Sequence, residues 1–134
     1  MQKVTYGNVV TGLMDSVPEC REVYEAELGW WGKEPPLPDP YTVLGFALRP
    51  LVTQLSAEKV DEEMLRRIFG FFEDMAGSED VEVVNLLQVS ELEFLVGKPD
   101  LLSRAWKYMG EKTKALTKET ARIWKSERNL PAEG

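Results

Sequence analysis

The sequence predicts an all-α domain: six to seven helices in successive antiparallel hairpins, bundle or HEAT-like, around a buried central helix at about residues 81–96. Three observations predict it. At about 100° per residue, Val83, Val84, Leu86, Leu87, Val89, Leu92, Phe94 and Leu95 fall on every side of a helix spanning 81–96, the pattern of a helix covered by neighbours. That run is longer than most strands and its polar residues do not alternate, which favours helix over a buried strand. The flanking segments repeat apolar residues at helical spacing, joined by short turns, and no pair of segments reads as a hairpin of strands.

The elements follow in order. Val9, Val10, Leu13 and Met14 mark a short first helix, and Ser16-Val17-Pro18-Glu19 matches a capping box that opens a second. Cys20, Val23, Tyr24 and Leu28 form its inner stripe, with Glu19, Arg21, Glu22 and Glu25 expected in water. Gly29 is expected to end it. Residues 29–40 then read as an irregular strap stiffened by four prolines, whose Trp30 and Trp31 either lid the core or stand out as a secondary binding patch. Asp39-Pro40 caps a strongly apolar third helix in which Pro50 demands a kink or break near Phe46.

Asp61 caps the next helix, with Met64, Leu65, Ile68, Phe69, Phe72 and Met75 inward and Glu62, Glu63, Arg66, Arg67, Glu73 and Asp74 outward. A short connection makes it an antiparallel partner of the central helix. Ser78 and Asp80 offer caps for that helix, and Gly97 a left-handed terminus. Its polar residues Asn85, Gln88, Ser90, Glu91 and Glu93 need partners if buried, from neighbouring Arg, Tyr or Trp or from a ligand. Pro99 opens a helix expected to end at Gly110. The last, residues 111–128, has Leu116, Thr120, Ile123 and Trp124 as its inner stripe and a basic outer face, before a frayed tail from Leu130.

The chain has 134 residues and a net charge of −7, one cysteine and no histidine. That length suits a single domain, 1–134, with its own core. Within one chain this composition excludes a disulfide framework, a Cys/His zinc site and any triad built on an imidazole base. With neither a secretory leader pattern nor a transmembrane run in the sequence, a cytoplasmic protein is expected. The acidic balance argues against nucleic acid or an anionic membrane as partner. It is uneven: residues 1–97 carry 18 acids and 7 bases, and residues 98–134 carry 5 and 9.

No phosphate loop, nucleophile elbow or calcium loop is present. The pairs Glu73/Asp74 and Glu91/Glu93 diverge around a helix and cannot converge on one atom. Neither an enzyme nor a cofactor or metal is expected. What remains is surface: Glu63, Glu73, Asp74, Glu79, Asp80 and Glu82, on two consecutive helices and their connection, are the candidate contact residues for a partner with a basic cleft.

A resemblance supplies a candidate partner. Tyr41-Thr42-Val43-Leu44-Gly45-Phe46, the run from Arg67 to Met75, the run from Ser78 to Ser90 and Lys107-Tyr108-Met109-Gly110 are similar to a family of small all-helical bacterial proteins that resemble immunity proteins encoded beside polymorphic toxins. It covers about residues 41–125. The resemblance implies an inhibitor that occludes a cognate toxin by non-covalent binding. The competing expectation is a helical adaptor docking a protein through the Trp30/Trp31 loop, and oligomeric state is left open.

Overall fold

The computed structural model describes residues 3–31 and 39–132, with the backbone alone for residues 27–31. Seven helices, and no strand, are present among the described residues. They are α1 Val9–Ser16, α2 Pro18–Trp31, α3 in four segments, α4 Glu62–Ala76, α5 in three segments, α6 Pro99–Trp106 and α7 Glu111–Ile123. A last turn, Glu127–Asn129, follows α7. No helix of the described residues is long and apolar enough to cross a membrane.

Helix α3 changes pitch as its sequence demands. It runs from Pro40–Val43 into a π turn at Leu44–Leu48, then Arg49–Val52 and a 3-10 end at Thr53–Ser56. Asp39 caps it, its carboxylate accepting the Thr42 N–H at 2.9 Å. The expected break near Phe46 is therefore present. Pro50 has no N–H for the carbonyl four residues back, and the ladder widens into a π turn there.

Helix α5 is also interrupted, by a π turn at Gln88–Leu92 between Val81–Leu87 and Glu93–Val96. This corrects the expectation of burial on all sides. A π turn adds a residue and rotates everything after it by about 100°, so Leu92, Leu95 and Val96 swing onto the face of Val83, Leu86 and Leu87. All six are buried, whereas Val81 and Val89 are exposed. The helix is central but keeps one outer face. Two π turns, one in α3 and one in α5, pack against each other.

The antiparallel α4–α5 pair forms as expected. Asp61 accepts the Met64 N–H at 3.1 Å, and the whole predicted stripe of α4 is buried together with Phe71. Asp80 caps α5, accepting the Glu82 N–H at 3.0 Å. Helix α7 lies beside both, and the core is continuous from Val9 to Ala121.

Several boundaries differ from expectation. Helix α2 continues through Gly29 to Trp31. Ser16 stays inside α1, and Glu19 turns to another helix instead of closing a capping box. Gly97 sits at φ −85°, and among the described residues it is Lys125 that is left-handed, at φ 53°. Gly110 ends no helix; it is the extended N-cap of α7. Helix α7 ends at Ile123 and buries Thr113, Thr117, Thr120 and Ala121, while Ile123 and Trp124 stand exposed. Its inner stripe is thus small and polar, because threonine hydroxyls satisfied within the helix can be buried: Thr117 donates to the Thr113 carbonyl and Thr120 to that of Leu116, both at 2.7 Å. Leu130 packs on the core instead of fraying.

Candidate interaction surface and the buried Arg49–Glu91 seam

Two polar residues of α5 find partners on the helices beside it. Asn85 donates to the Tyr41 hydroxyl at 2.6 Å, and Gln88 to the Thr120 hydroxyl at 3.0 Å. Ser90 and Glu91 lie in the π turn, where both are turned inward. The Arg49 guanidinium reaches them from the segment just after the π turn of α3, donating to the Ser90 carbonyl and holding its Nε 3.6 Å from Glu91 Oε2. It also covers the Phe94 ring at 4.5 Å. At 3.6 Å the contact between Arg49 and Glu91 is too long for a hydrogen bond, and neither Glu91 oxygen has a hydrogen-bond partner.

Burial pushes the Glu91 carboxyl up to about 8, against the pull of Arg49. Cys20 is wholly buried nearby, and burial, then the charges of Glu19 and Glu91, push its thiol up to about 12. An inert core cysteine is what the sequence led us to expect.

The six candidate carboxylates do not form one solvated face. Glu73 turns inward to α7: Oε2 accepts the Lys112 N–H at 3.0 Å, and Oε1 accepts the Thr113 N–H at 2.9 Å and its hydroxyl at 2.7 Å. Asp80 is occupied twice, by the Glu82 N–H and by the Tyr6 N–H at 2.9 Å. Their expected solvation is therefore corrected; both carboxylates are needed by main-chain donors. Glu82 lies beside Val81 on the outer face of α5, close enough to Tyr6 to raise its pKa after burial, Asp39 and Tyr41. Glu63, Asp74 and Glu79 remain exposed.

Those three belong to a surface that the sequence divides among distant segments. One groove is lined by Lys3, Glu73, Asp74, Gly77, Glu79 and Lys112 among others. The next shares Lys3, Val4 and Asp74 with it and adds Asp15. A third shares Asp15 and Ser16 with the second and adds Glu19, Glu22, Glu63 and Arg67. Together they make a continuous shallow trough across α1, α2 and α4. Seven carboxylates line it (Asp15, Glu19, Glu22, Glu63, Glu73, Asp74, Glu79) against three bases, Lys3, Arg67 and Lys112. Arg67 is taken by Glu19 in a two-pronged pair at 2.8 Å, and Lys3 by Glu79 at 3.3 Å.

Asp15 and Glu22 were missed as site residues because they come from α1 and α2. Only the packing of α1 on α4 places them beside Asp74 and Glu63. The side chains of Trp30 and Trp31, and most of the strap that follows, lie outside the described residues. Among the described residues no cluster of three or more His, Cys, Asp or Glu could hold a metal ion.

The family model described as Domain of unknown function (DUF7674) matches residues 10–125. The chain belongs to this family. The DUF7674 match begins ahead of the resemblance noted from about residue 41, so α1 and α2, which supply Asp15 and Glu22, lie within the family's span. No curated protein and no solved structure matches the chain.

Proposed function

We propose that this DUF7674 chain is a cytoplasmic immunity protein that neutralises a cognate bacterial toxin by non-covalent occlusion. The resemblance of residues 41–125 is the reason for naming a toxin, and the observation that carries the mode of binding is the acidic trough. A cleft that binds phosphates holds Lys and Arg, and a trough with seven carboxylates against three bases presents it with the charge of its substrate. The trough is shallow and open, a shape suited to a protein surface and not to enclosing a small molecule. Of the carboxylates, Asp15, Glu22, Glu63, Asp74 and Glu79 are free of main-chain duties and carry the contact. Glu73 and Asp80 act beneath it, holding α7 and the N-terminal segment in place.

The test is capture from the producing bacterium by the wild-type chain and by the triple variant Asp15→Lys, Asp74→Lys, Glu79→Lys. The expected result is a captured protein that stops growth when expressed alone, is neutralised by the wild-type chain and escapes the triple variant. A captured partner that is harmless, or that binds the triple variant equally at low salt, overturns the proposal.

A further inference from the structure

Helix α6 packs on the 3-10 end of α3 and on the end of α5, and residues of all three line an open groove of about 500 Å³. It shares no residue with the acidic trough. Its lining is apolar at Phe94, Gly97, Pro99 and Leu101, and because Phe94 and Leu101 also pack on the core, this part of the groove is fixed by the fold. Thr53 and Ser56 line it from α3.

The charge of this groove is opposite to that of the trough. Lys98 and Arg104 line it against one acid, Asp100, which lies in the first turn of α6 and serves the positive end of that helix. The structure also fixes where the cations sit. The Lys98 ammonium is 5.8 Å and the Arg49 guanidinium 4.5 Å from the centre of the Phe94 ring, and Arg104 reaches across to α3, where it donates to the Leu55 carbonyl at 3.4 Å. Among the described residues neither Lys98 nor Arg104 is in an ion pair.

An apolar lining set between cations without acidic partners is complementary to an apolar group that carries carboxylates. We propose that this groove docks an extended acidic peptide segment of a partner protein, with one bulky apolar side chain against Phe94 and Leu101 and a carboxylate on each side of it meeting Lys98 and Arg104. These two cations are six positions apart at the start of α6, about 9 Å along its axis at 1.5 Å per residue. An extended chain covers that distance in about two to three residues, so the acids flank the apolar residue closely. The groove is open to the surface, which suits a peptide segment and not an enclosed small molecule. A polyanion such as nucleic acid or a lipid surface fits less well, because its evenly spaced charge also meets Asp100 and a chain of net charge −7.

Selection of phage-displayed random heptapeptides on the full chain, followed by fluorescence anisotropy of the best synthetic peptide, tests the proposal. Expected are peptides with a large aliphatic or aromatic residue flanked by Asp or Glu, and binding that weakens with salt. Lys98→Glu and Arg104→Glu should each weaken binding at least about tenfold, while far-UV circular dichroism stays unchanged because both side chains are exposed. A peptide with one of its acids replaced by Lys should bind one of these variants better than it binds the wild type. No selected peptide, selected peptides without acids, or binding indifferent to both variants overturns the proposal. So does single-stranded DNA or an anionic phospholipid vesicle that binds more tightly than the peptide and is lost in the same variants. Because the groove and the trough share no residue and the probe is not a toxin, peptide docking and toxin capture stand or fall separately.

Discussion

Glu73 and Thr113, forty positions apart, are joined by two hydrogen bonds: one Glu73 oxygen accepts both the main-chain N–H and the hydroxyl of Thr113, at 2.9 and 2.7 Å. The carboxylate on α4 thereby caps α7, at the positive end of its dipole. Gly110 makes room for it, because a Cβ there would overlap the Glu73 carboxylate. Glu73→Ala should cost about 1 to 2 kcal/mol, the usual worth of an N-cap. Gly110→Ala should also destabilise the wild type, yet cost much less in the Glu73→Ala background, where the overlapping group is gone. A urea-denaturation double-mutant cycle checks this; strictly additive costs would refute the pairing.

The Glu19–Arg67 pair gives the fold its sensitivity to acid. The hydrogen bonds from Arg67 hold the Glu19 carboxyl down at about 2, against the effect of burial. A depressed carboxyl pKa adds stability that is present above the unfolded value near 4.5 and is lost as pH falls towards 2. Both side chains are about one-third exposed, so solvent screening keeps the contribution of the pair small. Arg67→Lys keeps the charge but loses the fork, and thermal melts between pH 2 and 5 should show a shallower loss of stability than in the wild type.

How much of this was legible follows from which features are local. The caps at Asp39, Asp61 and Asp80, the break ahead of Pro50 and the buried stripe of α4 depend on residues a few positions apart, and each was readable. The outer face of α5 was not, because a fixed step of 100° cannot register the residue that the π turn inserts at Gln88–Leu92. The inner stripe of α7 was right at Leu116 and Thr120 but wrong at Ile123 and Trp124, for a different reason. Ranking by hydrophobicity selects Ile123 and Trp124, whereas the buried positions are threonines whose hydroxyls bond within the helix or to Glu73. The acidic trough was half legible. Its members on α4 and its connection to α5 sit close in sequence, but Asp15 and Glu22 join them only through tertiary packing.

Cys20 offers a probe of opening. Its thiol is wholly buried and raised to about 12, so at neutral pH it is both protonated and out of reach. Iodoacetamide should label it at the rate at which the core opens, orders of magnitude more slowly than the unfolded chain. Labelling of the native chain at the rate seen in denaturant would show that α2 does not seal the core at Cys20.

The Arg49–Glu91 seam predicts a fold that weakens towards alkaline pH. Glu91 lies in the π turn of α5 with neither oxygen hydrogen-bonded, and burial raises its carboxyl from an ordinary 4.5 to about 8 despite Arg49. Because the folded chain then holds a proton that the unfolded chain releases, the linkage has a definite sign. The contribution of Glu91 is fully favourable below about 4.5 and is lost progressively as pH rises through about 8. The loss is on the order of 2 to 4 kcal/mol, since Arg49 and relaxation of the seam offset part of the cost of a buried charge. Glu91→Gln keeps the shape and stays neutral, so chemical denaturation should find it close to the wild type at pH 5 and clearly more stable at pH 9. Arg49→Met should act in the opposite direction, removing the cation beside Glu91 and steepening the alkaline loss. If the wild type and Glu91→Gln keep parallel stability profiles from pH 5 to 9, Glu91 does not titrate in this window and the seam is an ordinary ion pair.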